Sequence, residues 1–369
     1  MSQVIFRKAS YDYQTLKQTI FEILDSIEGF EINRQASVLI KPNLLMPAKP
    51  EHAILTHPLI VKAVTEYVFE KGGRPLISDS PAMGSLEKIK AQGGYNKALS
   101  SFDVEFKAFD TSINVDIGKP FGSIEMARDA LEADVVINLP KLKTHSGMLL
   151  TLGVKNLFGC IVGLKKPQWH LRSGIDREMF ARLLVQIYRA INPSITLVDG
   201  IWALEGQGPG KSGKPRRLGV LVGGKNAFDM DMAICTLLGM DPEQLPTHMA
   251  AKTLGLVSRS LAINGDVEVV NDFELPVLAP LTFGPKFIQK VMRKHLLQRP
   301  EADSLRCELC GECWQYCPAK AITLCKDRID FDYDGCIRCY CCIEICPHGA
   351  LCATETLPGK MLRKLSILK

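Results

Sequence analysis

The stretch CELCGECWQYCP at residues 307–318 recurs as CIRCYCCIEICP at residues 336–347, and together they decide the fold of the C-terminal part of this chain. Both runs have the spacing C-x2-C-x2-C-x3-C-P. Eleven of the thirteen cysteines fall between Cys307 and Cys352, and only Cys160 and Cys235 precede them. A disulfide-rich secreted protein is normally small, with cysteines throughout. The concentration of cysteines in one short segment of a long chain therefore indicates metal binding.

The two runs resemble the bacterial two-cluster ferredoxins over residues 304–354. In that family the first three thiolates of one run bind a cluster together with the fourth cysteine of the other run. The resemblance implies two 4Fe-4S clusters, the first bound by Cys307, Cys310, Cys313 and Cys346 and the second by Cys336, Cys339, Cys342 and Cys317. Zinc or disulfides are the alternatives, although neither needs two complete runs that each end in Cys-Pro. We interpret the remaining Cys325, Cys341 and Cys352 as packed small residues, alternative ligands or redox-sensitive thiols.

The length and charge of the chain limit its function further. At 369 residues it is long enough for two domains. A net charge of +5 is too small to indicate nucleic-acid binding. The N-terminal residues MSQVIFRKASYDYQ lack the apolar core of a signal peptide, and no apolar run approaches the length of a membrane span. A cytoplasmic location is expected.

The first 280 residues alternate between strand-like and helix-like segments. The strand-like segments are short apolar runs rich in β-branched residues, at Ala36–Lys41, Pro75–Asp79, Asp134–Leu139, Ser194–Asp199 and Leu218–Gly223. Such runs are typical of parallel strands buried on both faces. One helical pattern begins at Thr56-His57-Pro58 and ends at Gly72-Gly73. Two more lie at Met179–Ile191 and Phe228–Leu238. The alternation predicts an α/β fold, a mostly parallel sheet flanked by helices, followed by a small C-terminal α+β ferredoxin-type domain.

Gly284–Arg299 (GPKFIQKVMRKHLLQR) predicts a basic amphipathic helix between the two domains. The residues expected on its apolar face are Phe287, Ile288, Val291, Met292, His295 and Leu296. We interpret it as a connecting helix packed on a domain, with contact to a membrane surface as the alternative, and the tail Lys360–Lys369 has the same two interpretations. The predicted division of the chain is residues 1–283 for the α/β domain, 284–303 for the linker helix, 304–354 for the two-cluster domain and 355–369 for a basic tail.

Polar clusters follow the predicted strands. They are Lys41-Pro42-Asn43-Leu44-Leu45, Asp79-Ser80-Pro81, Pro140–His145 with Gly153–Gly159 after it, and Asp199-Gly200. In an open parallel sheet, ligands bind outside the carboxyl ends of the strands. The clusters therefore predict a single cleft at that edge of the sheet.

The words KPNLL, THP, DSP, NLPKLKTH, VKNLFG and DG, in this order, resemble the family called domain of unknown function 362. The resemblance extends from about residue 36 to the end of the chain, because members often carry a C-terminal ferredoxin module. It implies the two-domain architecture and an iron–sulfur protein, and it implies no particular reaction.

The side chains at the strand ends indicate an anionic ligand. Lysines, with Lys143 among them, would hold a carboxylate or phosphate while His145 donates a proton beside an incoming electron. The predicted catalytic residues are His145 and Lys143, and the predicted substrate-binding residues are Lys41, Asn43, Asp79, Lys155, Asn156 and Asp199. In the alternative, these lysines are solvated and His145 is a structural hydrogen-bonding residue, and we favour a structural role for Lys141.

Three further features carry less weight. Gly208–Gly213 (GPGKSG) satisfies G-x-G-x-x-G but neither directly follows a strand nor opens a helix, so we predict a flexible loop, which with Glu205 nearby could cover the cleft. Asp229 and Asp231 are expected to favour a helix dipole, with metal binding as the alternative. His170 is expected to be packed or exposed.

These observations favour a redox enzyme whose ferredoxin module passes single electrons from an external protein to a substrate or cofactor in the cleft. The expected partners are this electron donor or acceptor protein and an anionic small molecule. A non-enzymatic electron-transfer subunit of a larger complex and a cofactor maturation factor are the alternatives. Binding of a small ligand that reoxidises the protein would distinguish the enzyme from both.

Overall fold

The computed structural model describes residues 2–163, 165–173, 176–265, 268–278, 285, 288, 291–292 and 295–361. The strands of these residues are β1 (Ser2–Lys8), β2 (Ser37–Pro42), β3 (Arg74–Asp79), β4 (Glu105–Ala108), β5 (Ser112–Asp116), β6 (Ser123–Ala127), β7 (Val135–Leu139), β8 (Lys141–His145), β9 (Leu149–Thr151), β10 (Ile195–Gly206), β11 (Gly213–Gly224), β12 (Leu261–Asn264), β13 (Arg299–Ala302), β14 (Ile322–Cys325), β15 (Arg328–Phe331) and β16 (Leu351–Thr354). The helices are α1 (Tyr13–Asp25), α2 (Pro58–Glu70), α3 (Leu86–Gln92), α4 (Tyr95–Ala98), α5 (Arg128–Glu132), α6 (Gly153–Asn156), α7 (Lys165–Ser173), α8 (Arg177–Ile191), α9 (Ala227–Leu237), α10 (Pro246–Thr253), α11 (Glu312–Gln315) and α12 (Cys341–Ile345). Short 3-10 helices lie at Pro50–His52, Leu157–Cys160 and Pro242–Gln244.

One large sheet forms the N-terminal domain, in the order β12-β1-β11-β10-β7-β2-β3-β4. From β10 to β4 every neighbouring pair is parallel. Strand β11 is antiparallel to both β10 and β1, and β8 pairs in parallel with β10 and antiparallel with β9. The sheet is therefore mostly parallel, as predicted.

The central strands are apolar throughout because helices cover both faces of the sheet. In β2, Val38 and Ile40 pack with residues of α1 and α2, whereas Leu39 packs on the opposite face with residues of α8. Successive side chains of a strand point to opposite faces, so a strand buried on both sides needs an apolar residue at every position. This explains why β2 and β7 are recognisable as continuous apolar runs.

The predicted elements of this domain are confirmed, with two differences. Helices α2, α8 and α9 and strands β2, β3 and β7 lie within two residues of their predicted bounds. The predicted strands Ser194–Asp199 and Leu218–Gly223 are parts of a long antiparallel hairpin, β10–β11. The polar segment Lys141–His145 is a buried strand and not only the polar end of β7, because its backbone pairs with β10 and β9 while its cationic side chains have polar surroundings.

The C-terminal residues form a small domain of short strands and helices. Strand β13 pairs with β16 and β14 pairs with β15, each antiparallel. Helix α11 carries Cys313 and helix α12 carries Cys341 and Cys342, and the other predicted cluster ligands lie next to these helices in the chain. This arrangement matches the α+β ferredoxin-type domain predicted from the cysteine runs.

Most of the predicted linker helix and the end of the predicted basic tail lie outside the described residues. Among those that are described, His295 is helical, but Arg299–Ala302 is strand β13, so the helix ends before Arg299. Met292 is buried while Val291 and His295 are exposed, so the predicted apolar face is only partly covered. None of the helices in the described part of the chain has the length and apolar content that a membrane span requires.

Candidate functional site

Strand β8 directs three of the predicted residues to one side. Side chains alternate along a strand, so Lys141, Lys143 and His145 share a face. All three are buried. They form a row that begins at Lys141, which pairs with Asp199, and ends at His145, which faces Glu344 of the C-terminal domain.

Lys141 belongs to a closed polar network. Its Nζ lies 2.8 Å from Asp199 Oδ2 and donates a hydrogen bond to the Tyr11 hydroxyl at 3.0 Å. Asp199 also accepts hydrogen bonds from the Tyr11 hydroxyl at 2.8 Å and from the His57 N–H at 2.9 Å. Both Asp199 oxygens are thus engaged within the protein. Neither Lys141 nor Asp199 lines the cleft described below, so we now assign Asp199 the structural role that the sequence favoured for Lys141.

A cleft of about 740 Å³ lies between the α/β domain and helix α12. The α/β domain contributes most of its lining, and the C-terminal domain closes it with Tyr316, Cys341, Glu344 and Ile345. Its apolar surface includes Leu44, Leu45, Phe158 and Pro167 from the α/β domain. The cleft lies at the strand ends, where the sequence predicted a ligand site.

At the base of the cleft lies the buried ion pair Lys41–Asp79. Lys41 Nζ is 2.8 Å from Asp79 Oδ1, and Asp79 accepts hydrogen bonds from the backbone of Leu44 at 2.8 Å and Ser80 at 2.9 Å. A Cβ at Gly159 would lie 2.2 Å from Asp79 Oδ1, so the chain passes the pair only with glycine there. Asp79 lines the cleft and Lys41 does not. Lys41 therefore neutralises the charge of Asp79 from the side that does not line the cleft.

Lys143 enters the cleft with its ammonium group held by neutral acceptors. Its Nζ donates to Asn43 Oδ1 at 2.7 Å and to the Ile54 carbonyl at 2.9 Å. Asn43 in turn donates to Asn156 Oδ1 at 2.9 Å, and Asn156 donates to Asn138 Oδ1 at 2.8 Å. This chain of amides fixes the orientation of Asn43 and Asn156, both of which line the cleft. Burial lowers the pKa of Lys143 to about 7.

Lys155 and Lys166 add two more cations to the cleft. Among the described residues Lys155 Nζ makes no hydrogen bond or close ion pair, and burial lowers its pKa. Lys166 donates to the Ser80 carbonyl, and burial lowers its pKa to about 8. The buried Thr151 hydroxyl also lines the cleft and has no hydrogen-bond partner among the described residues. The lining contains two carboxylates, and one of them, Asp79, is already neutralised by Lys41. Glu344 is thus the one lining carboxylate left to balance the charges of Lys143, Lys155 and Lys166.

His145 lies under the cleft lining and contacts Glu344 from below. Its Nδ1 accepts hydrogen bonds from the N–H groups of Gly147 at 3.0 Å and Met148 at 3.1 Å, so the neutral ring carries its proton on Nε2. Nε2 lies 3.8 Å from Glu344 Oε2, which is too far for a hydrogen bond. Burial, with Lys155 nearby, lowers the pKa of His145 to about 4.

Glu344 remains ionised in this environment. Burial would raise the pKa of Glu344, but His145 and Lys155 beside it lower that pKa below its ordinary value. The ring of His145 thus lies beside an ionised Glu344, and its lowered pKa disfavours the proton-donating role that the sequence predicted.

His170 is packed, as the sequence predicted, although it also touches the cleft. Its ring stacks on Phe180 at a centroid distance of 4.3 Å and meets the edge of Phe158 at 5.4 Å. Burial lowers the pKa of His170 to about 3, so the ring is neutral at pH 7. It contributes a wall of the cleft.

The two aspartates of helix α9 have separate structural partners. Asp231 accepts hydrogen bonds from the N–H groups of Gly153 at 2.8 Å and Val154 at 3.1 Å, and so caps α6, the helix that carries Lys155. Burial raises the pKa of Asp231 to about 7. Asp229 instead binds the backbone and hydroxyl of Ser258. Asp231 thus supports a helix dipole, but that of α6 and not of its own helix.

The cysteine runs form two cavities of about 330 Å³ each. The first is lined by Cys307, Cys310, Cys313 and Cys346, and the second by Cys317, Cys336, Cys339, Cys341 and Cys342. The four predicted ligands of each cluster therefore face a common space large enough for several atoms, and soft thiolates in apolar surroundings suit an iron–sulfur cluster. Within the described ranges no three His, Cys, Asp or Glu side chains are grouped to hold a single metal ion.

Cys341 connects the second cavity with the cleft. It is among the residues that line both spaces. Its proximity lowers the pKa of Cys339. The other two spare cysteines, Cys325 and Cys352, line neither cavity nor the cleft.

The segment Gly208–Gly213 is the turn of the β10–β11 hairpin and lies against the C-terminal domain. Ser212 Oγ donates to the Leu351 carbonyl at 2.9 Å, and a Cβ at Gly210 would lie 2.6 Å from the Glu344 carbonyl. Gly208 N–H donates to Thr144 Oγ1 at 3.1 Å. The turn therefore joins the two domains and is not a free flap over the cleft.

Several lining residues were absent from the predicted site. Lys166 and Thr151 follow no predicted strand, and Glu344 and Tyr316 come from the cysteine runs. The sequence singled out Cys341 only as a spare cysteine beside a predicted ligand, and nothing in its pattern placed it at the cleft.

Comparison with known proteins identifies two regions of the chain. The family described as domain of unknown function (DUF362) matches residues 38–236, and the 4Fe-4S binding domain matches residues 300–323. The chain is 35% identical over 303 residues to a thylakoid-associated protein of Synechocystis sp., which covers 80% of this chain and 94% of that protein. The structure of the lactate racemase apoprotein from Thermoanaerobacterium thermosaccharolyticum matches with 13% identity and a TM-score of 0.38, over 62% of this chain and 55% of that one. A cytoplasmic location stays a prediction.

Proposed function

The chain belongs to the DUF362 family and carries a 4Fe-4S binding domain, and from this premise we propose that it is a redox enzyme that binds two 4Fe-4S clusters and reduces an anionic substrate in the cleft. The single observation that carries the proposal is the contact of Cys341 with both the second cysteine cavity and a lysine-rich cleft. A protein that only carried electrons would not need a cationic cleft beside its cysteines.

Two sets of four thiols support the count of two clusters. Cys307, Cys310, Cys313 and Cys346 would hold one, and Cys336, Cys339, Cys342 and Cys317 the other. When bound, each cluster supplies one-electron oxidation and reduction. Cys313 of one set and Cys342 of the other belong to the same cluster of buried residues, so the cavities are neighbours.

The charge of the cleft supports an anionic substrate. Lys143, Lys155 and Lys166 outnumber the one uncompensated carboxylate, Glu344, and a carboxylate or phosphate would restore the balance. Thr151 offers a hydroxyl without a partner in the described part of the chain, and Asn43 and Asn156 offer amides in fixed positions. The apolar wall of Leu44, Leu45 and Phe158 would receive an uncharged part of the same molecule.

Lys143 is suited to supply the proton that accompanies an electron. A general acid works best when its pKa lies near the pH of the reaction, and burial brings the pKa of Lys143 to about 7. The external donor supplies the electron, the substrate gains it together with a proton from the Lys143 ammonium, and Lys143 remains as a neutral amine. Solvent then restores the proton.

The experiment begins with protein purified without oxygen. We expect about eight iron and eight sulfide ions per chain, since each 4Fe-4S cluster contains four of each. Zinc without sulfide would overturn the proposal, and about four of each would limit it to one cluster.

The same preparation, reduced with dithionite and freed of excess reductant, is then mixed with a panel of carboxylates and phosphates and with neutral and cationic analogues. Reoxidation, followed by absorbance, is expected with an anionic compound. Lys155→Met should raise its KM about 10- to 100-fold, the loss expected for one charge-assisted hydrogen bond. Lys225→Met, at an exposed lysine, is the matched control. Equal reoxidation by neutral analogues, or an unchanged KM in Lys155→Met, would contradict an anionic substrate.

A further inference from the structure

The two cysteine cavities have different surroundings. The first shares no lining residue with the cleft, whereas the second shares Cys341. On the outer side, the first cavity has an exposed ligand, Cys310, whereas the predicted ligands of the second are half-buried or buried. The second cavity is therefore the one beside the cleft, and the first has the more exposed ligand.

We infer that the second cavity is the one in electronic contact with the cleft, and that Cys341 and Lys155 set the reduction potential of the group bound there. This inference rests on the proposed function only in requiring that both cavities hold clusters. In this arrangement one electron at a time leaves the group in the second cavity and is gained by the anionic acceptor in the cleft. The first cavity then exchanges electrons with the external protein.

Cys341 acts on the second cavity from within its lining. It lines that cavity together with Cys339, one of the four predicted ligands, so its thiol is the candidate donor of a hydrogen bond to the sulfurs of the group bound there. Hydrogen bonds to the sulfurs of a cluster are among the features that set its potential. They stabilise the more negative, reduced state, so they raise that potential.

Lys155 acts in the same direction through its charge. It lines the cleft beside Cys341, with which it interacts electrostatically, and it makes no hydrogen bond or close ion pair among the described residues. A positive charge in buried surroundings stabilises the added electron of a reduced cluster. An anion bound at Lys155 would cancel part of this effect, so occupancy of the cleft should be detectable at the second cavity.

The outer side of the domain offers a place for the external protein. Leu305, two residues before Cys307, is 96% exposed, and the Cys310 side chain is also exposed. Glu308 beside them has a side chain that is 70% exposed, and it contacts His348 at 3.2 Å. This surface lies at the first cavity and away from the cleft, as expected if the first cavity receives electrons from the external protein.

The test measures the two reduction potentials by a redox titration followed with electron paramagnetic resonance. Cys310→Ser and Cys339→Ser, each of which disturbs one cavity, assign the two signals. We expect Cys341→Ala and Lys155→Met each to make the second potential more negative and to leave the first unchanged, while Lys155→Arg keeps the original value. Arg306→Gln, next to Cys307, should shift only the first potential.

Lys225→Met is the matched control for loss of a positive charge. Lys225 follows β11, whose other end adjoins the turn that contacts the C-terminal domain. It lies thirteen residues from Ser212 of that contact, about 43 Å along an extended strand. Neither potential should change. The inference fails if Cys341→Ala and Lys155→Met leave the second potential unchanged or shift the first as much. That outcome can be observed only when both clusters are present. The proposed function fails differently, when the clusters are absent or no anion reoxidises them.

Discussion

At the scale of single residues, burial exchanges the roles of lysine and histidine. His145 and His170 would titrate near neutral pH in water, but burial lowers their pKa values to about 4 and about 3. Lys143 would remain charged in water, and burial lowers its pKa to about 7. The residue able to exchange a proton at neutral pH is therefore a lysine.

Lys143 should also make the stability of the protein depend on pH. Its pKa is lowered in the folded state, so between about pH 7 and pH 10.5 the unfolded chain binds more protons and the folded state gains stability as the pH rises. The stability of the wild type relative to Lys143→Met should increase through this window by at most about 1.4 kcal/mol per pH unit. Thermal unfolding of both proteins without oxygen, at several pH values, measures the difference.

Lys225→Met serves as the control, because its exposed side chain should contribute no comparable slope. A difference between the wild type and Lys143→Met that stays constant from pH 7 to pH 10 would mean that the ammonium group is not desolvated.

At the scale of elements, the β10–β11 hairpin holds the two domains together. Both strands have twelve residues, and their turn contacts the C-terminal domain through Ser212 and Gly210. A β-hairpin of this length is braced by the rest of the sheet, because β10 pairs with β7 and β11 pairs with β1. The turn is thus a rigid contact point.

Gly210→Val should loosen this contact. Its Cβ would lie 2.6 Å from the Glu344 carbonyl, which belongs to the backbone and cannot turn away. Overpacking of this kind costs about 1–3 kcal/mol, so thermolysin should cleave the C-terminal domain faster than in the wild type. Arg217→Val, at an exposed position of the same hairpin, is the matched control. Equal cleavage of the two variants would show that the turn does not restrain the domain.

The sequence was informative where one element alone determines the outcome. Strands β2, β3 and β7 are apolar at almost every position because both faces are covered, and the cysteine spacing is a property of one short segment. Strand β8 was missed because Lys141 and Lys143 read as polar, and their buried state depends on partners such as Asp199 and Asn43 from distant elements.

The other missed residues show the same limit. Lys166 and Glu344 reach the cleft only after the chain has folded, and no local pattern marks them. The positions of Asn43, Asp79, Lys143, Lys155 and Asn156 at the cleft could be predicted because strand ends in a parallel sheet converge on one edge, whereas Lys41 does not line the cleft. Asp199 obeys the same rule and still lies apart from the cleft, because Lys141, Tyr11 and His57 enclose it.

At the scale of the whole molecule, a ligand in the cleft should stabilise both domains together. The cleft is lined by Lys143 and Lys155 on one side and by Cys341 and Glu344 on the other. A ligand that binds only the closed arrangement stabilises it in proportion to its concentration and affinity. Hydrogen exchange should therefore slow in β8 and in α12 when the anion found by the reoxidation screen is added. Protection confined to β8 would mean that the C-terminal domain takes no part in binding.

Because Tyr316, Cys341, Glu344 and Ile345 close the cleft, the proposed function would make the cysteine-rich domain the cover of the substrate site as well as its source of electrons. A detached ferredoxin could deliver the same electrons, but the cleft would be open to water whenever that ferredoxin was not bound. Chimeras that join the α/β domain of one family member to the cysteine-rich domain of another should accordingly be active only when these four closing residues fit the α/β lining of the cleft.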